Sequence, residues 1–507
     1  MIIGKLLRTI SHLRMRQIIY QLRNRIVSRK YVYRAPSVPK INHINTVKWI
    51  DKPISFDNDR FCFLNLEAEY GGWCDRRKGM LWAYNLNYMD WINQQGIDVK
   101  TGLNWIDEFI SGIDTNNIGT DPYPTALRII NWVKFFSKYK ESISEKHLSS
   151  LYSQMLHLQN NIEYHLLGNH ILEDAFALFI GSNYLRDDRL LKKSTRLLIK
   201  ELNRQILPDG AHYEQSPMYH CILLDRLLDC VNFDTTDNIF LKDVAVKMLG
   251  HLENMLWSDR SYPLFNDSAY GIAPMPTEIF DYAKRLSLEW SPISLRESGY
   301  RHLKSRHFDL IADCGEIRAC YQPGHSHADA LSYELQVDGA NLIVDTGIST
   351  YEKNARRQFE RGSSAHNTVT VGDRDSSEVW GGFRVGGRSC VKIIEDGTNK
   401  VIAHCRGYRD KHIHKRVFDC KERSVSITDS LTGGVVGISR LYIAPHLKVK
   451  KISDCKVAVD NGVTITIKDA MSFVIKEALV SNEYNRFEKT AVVEILFSGI
   501  MQYSFSI

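Results

Sequence analysis

The chain reads as α+β and multidomain: an N-terminal α/α toroid built of helical hairpins, followed by a C-terminal antiparallel β-sandwich. Three observations predict this. From Trp82 to about Leu288, apolar residues recur at helical spacing in segments of ten to twenty residues separated by short polar breaks. After about Lys304 the period shortens to two, in brief runs punctuated by turn pairs. With 507 residues, 44% hydrophobic and 24% charged, the chain can fill two large cores as an ordinary soluble globular protein.

The first fifty residues stand apart. They hold eleven Lys or Arg and no acid until Asp51, so the overall charge of +6 is an N-terminal feature and the remaining body is net negative. That body gives no support to nucleic-acid binding. Ile3, Leu6, Leu7, Ile10, Leu13, Ile18 and Leu22 keep helical spacing. The result is a basic amphipathic helix, suited to peripheral contact with an anionic membrane and equally to docking on its own domain with a solvated basic face. No continuous apolar region of a standard signal peptide is seen, so a cytoplasmic or membrane-peripheral location is expected, with the periplasm left open. No run approaches the 18 apolar residues of a spanning helix.

Residues 51–300 are expected to form the toroid. Helices are expected at Pro124–Tyr139, His147–Leu166, Ile171–Leu185, Arg189–Ile206 and Tyr219–Val231, with Asp121-Pro122 and Asp209-Gly210 marking turns between them. Consecutive antiparallel hairpins of this length close into a toroid or stack as a solenoid. The boundary falls near 295–306, and residues 301–507 form the sandwich. There Leu331–Val337 and Asn341–Val344 flank Asp338-Gly339 as a hairpin. Further strands are expected at Thr368–Val371, Val425–Thr428, Gly437–Ile443, Val463–Ile467 and Val492–Phe497. The ten cysteines show no C-x-x-C pair, which predicts mostly buried thiols and no cysteine zinc site.

Four places carry chemistry. His325 and His327, in Tyr321-Gln-Pro-Gly-His-Ser-His-Ala-Asp329, precede an alternating run. Taken as extended, that segment puts two imidazoles on one face. Asp345 and His366 follow at the edges of strand-like runs, completing an available His/Asp/His metal set. Gly168-Asn169-His170 heads a helix, where an N-cap Asn beside a surface His is the bland alternative. Asp209-Gly-Ala-His-Tyr-Glu-Gln-Ser-Pro-Met-Tyr-His220 is a polar loop running into a helix.

Together with Trp82-Ala-Tyr-Asn-Leu-Asn-Tyr88, Asp121-Pro-Tyr-Pro-Thr-Ala-Leu-Arg-Ile-Ile-Asn-Trp132 and Ala365-His-Asn367, these motifs resemble the heparinase II/III-type polysaccharide lyases, especially members found in bacterial surface-polysaccharide gene sets. The resemblance implies the toroid and sandwich, and cleavage of an acidic, uronic-acid-containing polysaccharide by β-elimination in capsule or exopolysaccharide metabolism. It carries the carboxylate-neutralising role onto Asn169 and His170, the catalytic phenol onto Tyr219, the base or its assistant onto His325, and a further active-site phenol onto Tyr351. It implies Zn2+, structural in role, on His327, Asp345 and His366. Arg128, Asn131, Glu214, Trp82 and Tyr84 are expected to line the cleft. Tyr88, Trp91, Trp105, Tyr123 and Trp132 offer stacking faces for sugars, or serve as helix core. The same residues would serve a uronate C5-epimerase. A non-catalytic glycan-binding protein of polysaccharide assembly is the reading from another class.

Overall fold

The computed structural model describes every residue except Met1, residues 28–30 and residues 34–36. Arg29, Lys30 and Arg34, counted above among the basic residues, lie outside that described set.

Two helices open the chain, α1 (Ile2–Ile10) and α2 (Met15–Ile26). Residues 37–55 run along the helical domain. It is tied down where Asn42 N–H donates to Tyr184 O at 2.7 Å and where Asn232 exchanges two 2.9 Å bonds with the Val47 backbone. A small sheet follows, Phe56–Asp57, Arg60–Phe63 and Leu66–Glu69, unanticipated because strands of two to four residues carry too little period to read.

The helical domain comprises α3 (Met80–Tyr88), α4 (Val99–Gly112), α5 (Pro122–Lys138), α6 (Glu145–Asn160), α7 (Gly168–Tyr184), α8 (Asp188–Gln205), α9 (Pro217–Phe233), α10 (Ile239–Met255) and α11 (Pro276–Arg285). Local chemistry starts α5, α7 and α9 two or three residues ahead of the expected bounds, and Pro122, read as part of a turn, opens α5. Pro122 and Pro217 sit in first turns, where a missing N–H costs nothing, and Asp187 caps α8 by accepting from Leu190 N–H at 2.9 Å. Helix α7 is the centre: it packs against α5, α8 and α9, and only His170 of its seventeen residues is not buried. Helix α6 stops at Asn160, six residues short of the expected end. The chain turns through 161–167 and enters α7 by way of Leu167 and Gly168, both at positive φ.

The sheet domain begins at Tyr300. An eight-stranded antiparallel sheet has Cys390–Asp396 and Val449–Ser453 as its edges. Two four-stranded sheets, linked by a bridge between Ile343 and Ile443, form the opposing layer. Leu310, Leu335, Phe418, Ile427, Phe497 and Phe505 fill the space between, all wholly buried. The Asp338-Gly339 hairpin forms as expected, with both residues at the positive φ of a type I′ turn.

Two expectations change. The His325 to Asp329 run is a loop of turns, not a strand, and pairing resumes only at Tyr333. Pro323-Gly324 bends it, and Ala328 N–H is drawn off to Arg361 O. All ten cysteines are free thiols, but four of them, Cys62, Cys74, Cys320 and Cys455, are exposed. Among the described residues no helix is long and apolar enough to cross a membrane.

Candidate active site at the domain junction

The loop before α9 turns sharply at Gln215 (φ 59°), and Ser216 caps the helix, its Oγ accepting from Tyr219 N–H at 3.1 Å. This places Tyr219 in the first turn, facing the sheet domain. His325 arrives from the other side. The two rings stack with centroids 3.9 Å apart and planes 16° from parallel. Tyr351 completes the set: its hydroxyl lies 3.2 Å from that of Tyr219. Its ring rests against Phe383 and Tyr484, with the Arg357 guanidinium 4.9 Å from its centroid.

Glu214 joins three of the expected residues. Its Oε2 accepts from His325 Nδ1 at 2.5 Å, and its Oε1 accepts from the backbone N–H of Asn169 at 2.9 Å. Both oxygens are used and the side chain is 1% exposed, so Glu214 positions His325 and Asn169 instead of lining the cleft as expected. The bond at Nδ1 leaves His325 Nε2 as the atom able to accept a proton. Burial works to raise the Glu214 carboxyl, but His325, by charge and then by hydrogen bond, holds it below its ordinary range.

Asn169 occupies the second position of α7 and is not its cap. Its Oδ1 is buried without a hydrogen-bond partner. His170 Nδ1 lies 2.8 Å from Glu163 Oε2, and its ring is 4.7 Å from Tyr123. Burial penalises the imidazolium, yet Glu163 outweighs it and holds His170 above its ordinary value. Burial also pushes the Tyr219 and Tyr351 phenols well above theirs. Tyr84, Tyr88 and Tyr123 continue the aromatic line from His170, and Tyr84 donates to Asp121 Oδ2 at 2.8 Å.

Three expected cleft residues lie in the helical core instead. Trp82 is 1% exposed and donates Nε1–H to Leu66 O. Arg128, wholly buried, donates to Gln154 Oε1, Asn87 O and Thr125 Oγ1 and lies over the Phe109 ring. Asn131 donates to Tyr88 O. Each satisfies backbone ends or helix contacts and has no face left for a ligand.

Beside the cleft, His327, Asp329 and His366 each bring one ligand atom to within 4.8 Å of the others. His327 Nδ1, Asp329 Oδ2 and His366 Nε2 are buried with no hydrogen-bond partner. The remaining nitrogens are committed: His327 Nε2–H donates to Asp267 Oδ1 and His366 Nδ1–H to Asp345 Oδ2, each at 2.7 Å. His327 Nδ1 therefore presents a lone pair, and His366 Nε2 is the ring atom left to face an ion once its proton is displaced. Burial pushes His327 down to about 3. Burial opposes charge on His366 too, but Asp345 and Asp329 bring it up to about 9, so a cation would displace a proton there. The donor set fits zinc. Asp345, expected as a ligand, accepts from His366 Nδ1, and Asp329 is the carboxylate grouped with the two imidazoles.

The sheet domain secures this loop from behind. Arg416, paired with Asp429, donates to Leu331 O at 2.7 Å and Asn367 O at 2.6 Å, pinning the segments that carry His327 and His366. Asp267, from the helical side, takes two bonds from Arg357 in α12 (Ala355–Glu360) at 2.5 and 2.6 Å. Glu163, Asp267, Asp329, Arg357 and Tyr484 went unread in the sequence. The Asp329 of the His-Ser-His-Ala-Asp run was the one signal in plain view; the others are isolated letters until the fold brings them together.

A helical domain and an antiparallel sheet domain meeting over a Tyr–His–Asn cluster define the class of the toroid-plus-sandwich proteins. The chain belongs to the heparinase II/III-like family: the heparinase II/III N-terminus profile matches residues 72–285 and the heparinase II/III-like C-terminal profile residues 289–502. It is 21% identical over 418 residues to a heparin-sulfate lyase of Bacteroides thetaiotaomicron, covering 68% of this chain and 57% of that protein. It is 22% identical over 339 residues to the heparin-sulfate lyase of Pedobacter heparinus, covering 59% and 49%. The match thus spans about half the length of these relatives. The fold is similar to the crystal structure of heparinase III (TM-score 0.67, 15% identity, 87% of this chain and 80% of that one). It is also similar to the Streptomyces coelicolor A3 chondroitin AC lyase in complex with chondroitin sulphate (TM-score 0.53, 8% identity, 85% and 74%).

Proposed function

We propose that this protein is a polysaccharide lyase that cleaves a uronic-acid-containing glycan by β-elimination, the sugar lying between the two domains. The observation that carries the reading is the stack of Tyr219 on His325, with Glu214 tying His325 to the Asn169 end of α7. Proton removal from C5 builds negative charge on the uronate carboxylate. The Asn169 amide and the His170 cation receive that charge. His325 Nε2 accepts the C5 proton, and the C–H electron pair becomes the C4–C5 double bond. The C4–O4 bond breaks, and Tyr219, a neutral phenol at physiological pH, donates its proton to the departing oxygen. No water or co-reactant is consumed. A cation held by His327, Asp329 and His366 would supply fixed positive charge that ties together the loops presenting His325.

Charges at the rim favour a lightly sulfated or unsulfated uronate of bacterial capsule or exopolysaccharide type. Beyond residue 50 acids outnumber bases, and Asp121 and Glu163 stand beside Tyr84 and His170, which supports a substrate of low charge density. The test follows ultraviolet absorbance of the unsaturated product over sulfated and unsulfated uronate polysaccharides, with zinc supplied. Wild type should act best on the unsulfated set, and Tyr219→Phe should lose about 10²–10⁴-fold in kcat. No unsaturated product from any glycan would defeat the proposal. C5 exchange in D2O without chain cleavage would replace it with epimerisation.

A further inference from the structure

We infer that the N-terminal helical pair α1–α2 is a docking surface for an anionic lipid bilayer. Both helices sit on the protein the wrong way round. An amphipathic helix that packs on its own domain turns its apolar stripe inward. Here the polar side is packed. In α1, Arg8 makes two bonds to Glu378, at 2.8 and 2.6 Å, and Thr9 Oγ1 accepts from Trp380 Nε1 at 3.1 Å. In α2, Gln17 is 1% exposed and the Arg16 guanidinium lies 3.4 Å from the Tyr164 ring centroid.

The apolar stripes face outward instead. Ile3 is 74% exposed and Leu7 62%; in α2, Met15 is 70%, Ile19 and Leu22 are 55%, and Ile26 is 84%. Contiguous apolar surface of this kind marks an interaction face. Charge identifies what covers it. Exposed Arg14, Arg23 and Arg25 accompany the stripe, and the first fifty residues contain no acid. Outward apolar side chains accompanied by cations, in a segment without acids, match the boundary between anionic headgroups and acyl chains.

The placement bears on the cleft. Gln17 Nε2 donates to Leu166 O and to Tyr321 O, each at 3.1 Å. These carbonyls stand three residues ahead of Asn169 and four ahead of His325. Helix α2 of the bilayer-facing pair therefore holds both segments that deliver the candidate site, one from each domain. The inference itself stands whether or not the protein is a lyase.

The test is co-sedimentation of the full chain with vesicles of equal parts phosphatidylglycerol and phosphatidylcholine, beside vesicles of phosphatidylcholine alone. Wild type should pellet with the anionic vesicles, less so as salt is raised. The double substitution Ile19→Glu with Leu22→Glu should weaken that binding about tenfold or more at a nearly unchanged melting temperature, since both side chains are more than half exposed. The inference is overturned if wild type stays in the supernatant, or if the double variant pellets as well as wild type. It is also overturned if wild type forms a concentration-dependent dimer that the double variant abolishes without any vesicle binding; a second copy would then be the occupant.

Discussion

His170 is the one residue of α7 that reaches solvent, and its environment sets when it is charged. Because Glu163 holds it above its ordinary value, the imidazolium is present below that raised value and is lost as pH climbs through it. If His170 receives the substrate carboxylate, binding is strongest on the acid side and KM rises with pH. Glu163→Gln removes the main partner, so the rise should begin at lower pH. His170→Gln should flatten it and raise KM about tenfold or more, the size expected for losing a charge-assisted hydrogen bond. Superimposable KM–pH curves for wild type and Glu163→Gln would show that the pair does not govern binding. At this scale the sequence was legible only in part. Tyr219, His325, Asn169 and Tyr351 converge, but Arg128 and Asn131, polar letters in the same motifs, are spent on backbone ends inside the helical core. Nothing in a linear pattern tells a polar side chain aimed at a cleft from one aimed at a carbonyl.

Helix α7 shows how an element positions these groups. Its first residue, Gly168, has φ 62°, and a Cβ there would stand 2.5 Å from Glu214 Oε1 and 2.9 Å from Gln322 Cγ. Glycine is required twice, for the left-handed turn and for the approach of the carboxylate that holds Asn169. Gly168→Ala should cost about 1–3 kcal/mol in urea unfolding and should depress kcat more than Tm alone explains, because Asn169 moves with the turn. Wild-type kcat in this variant would mean that the Glu214 contact is dispensable. Long elements such as α5, α8 and α9 were legible because many turns repeat one period. The His325 loop was not: two histidines two apart satisfy a strand period by chance, and the deciding bond, Ala328 N–H to Arg361 O, comes from 33 residues along the chain. The outward stripe of α1 and α2 was equally hidden, since periodicity reports that a helix has an apolar face but not which way it turns.

Across the whole molecule, the two domains are joined through buried charge. His327 and Asp267 meet across the junction beside the candidate metal group, so occupancy should be felt globally. Exhaustive chelation should lower Tm, zinc should restore it, and His366→Ala should make Tm indifferent to either; metal analysis without bound zinc, and no shift on chelation, would remove the ion from this account. The stronger coupling is the Asp267–Arg357 pair, with both side chains wholly buried. Arg357 also holds the Gly382 carbonyl and supports Tyr351, so one guanidinium serves the helical domain, α12 and the cleft together. Losing it leaves an uncompensated buried carboxylate, at a cost of about 3–5 kcal/mol. The distribution of tryptophan makes the consequence visible: eight of the nine precede residue 300, and only Trp380 follows. Tryptophan fluorescence therefore follows the helical domain, while the β signal in far-ultraviolet circular dichroism follows the sheets. In wild type the two urea transitions should coincide, as for a single cooperative unit. In Arg357→Met they should separate, and Asp267→Asn added to it should bring them partly back together by removing the stranded charge. Separate transitions in wild type, or coincident ones in Arg357→Met, would mean that the domains are held together by something other than this pair.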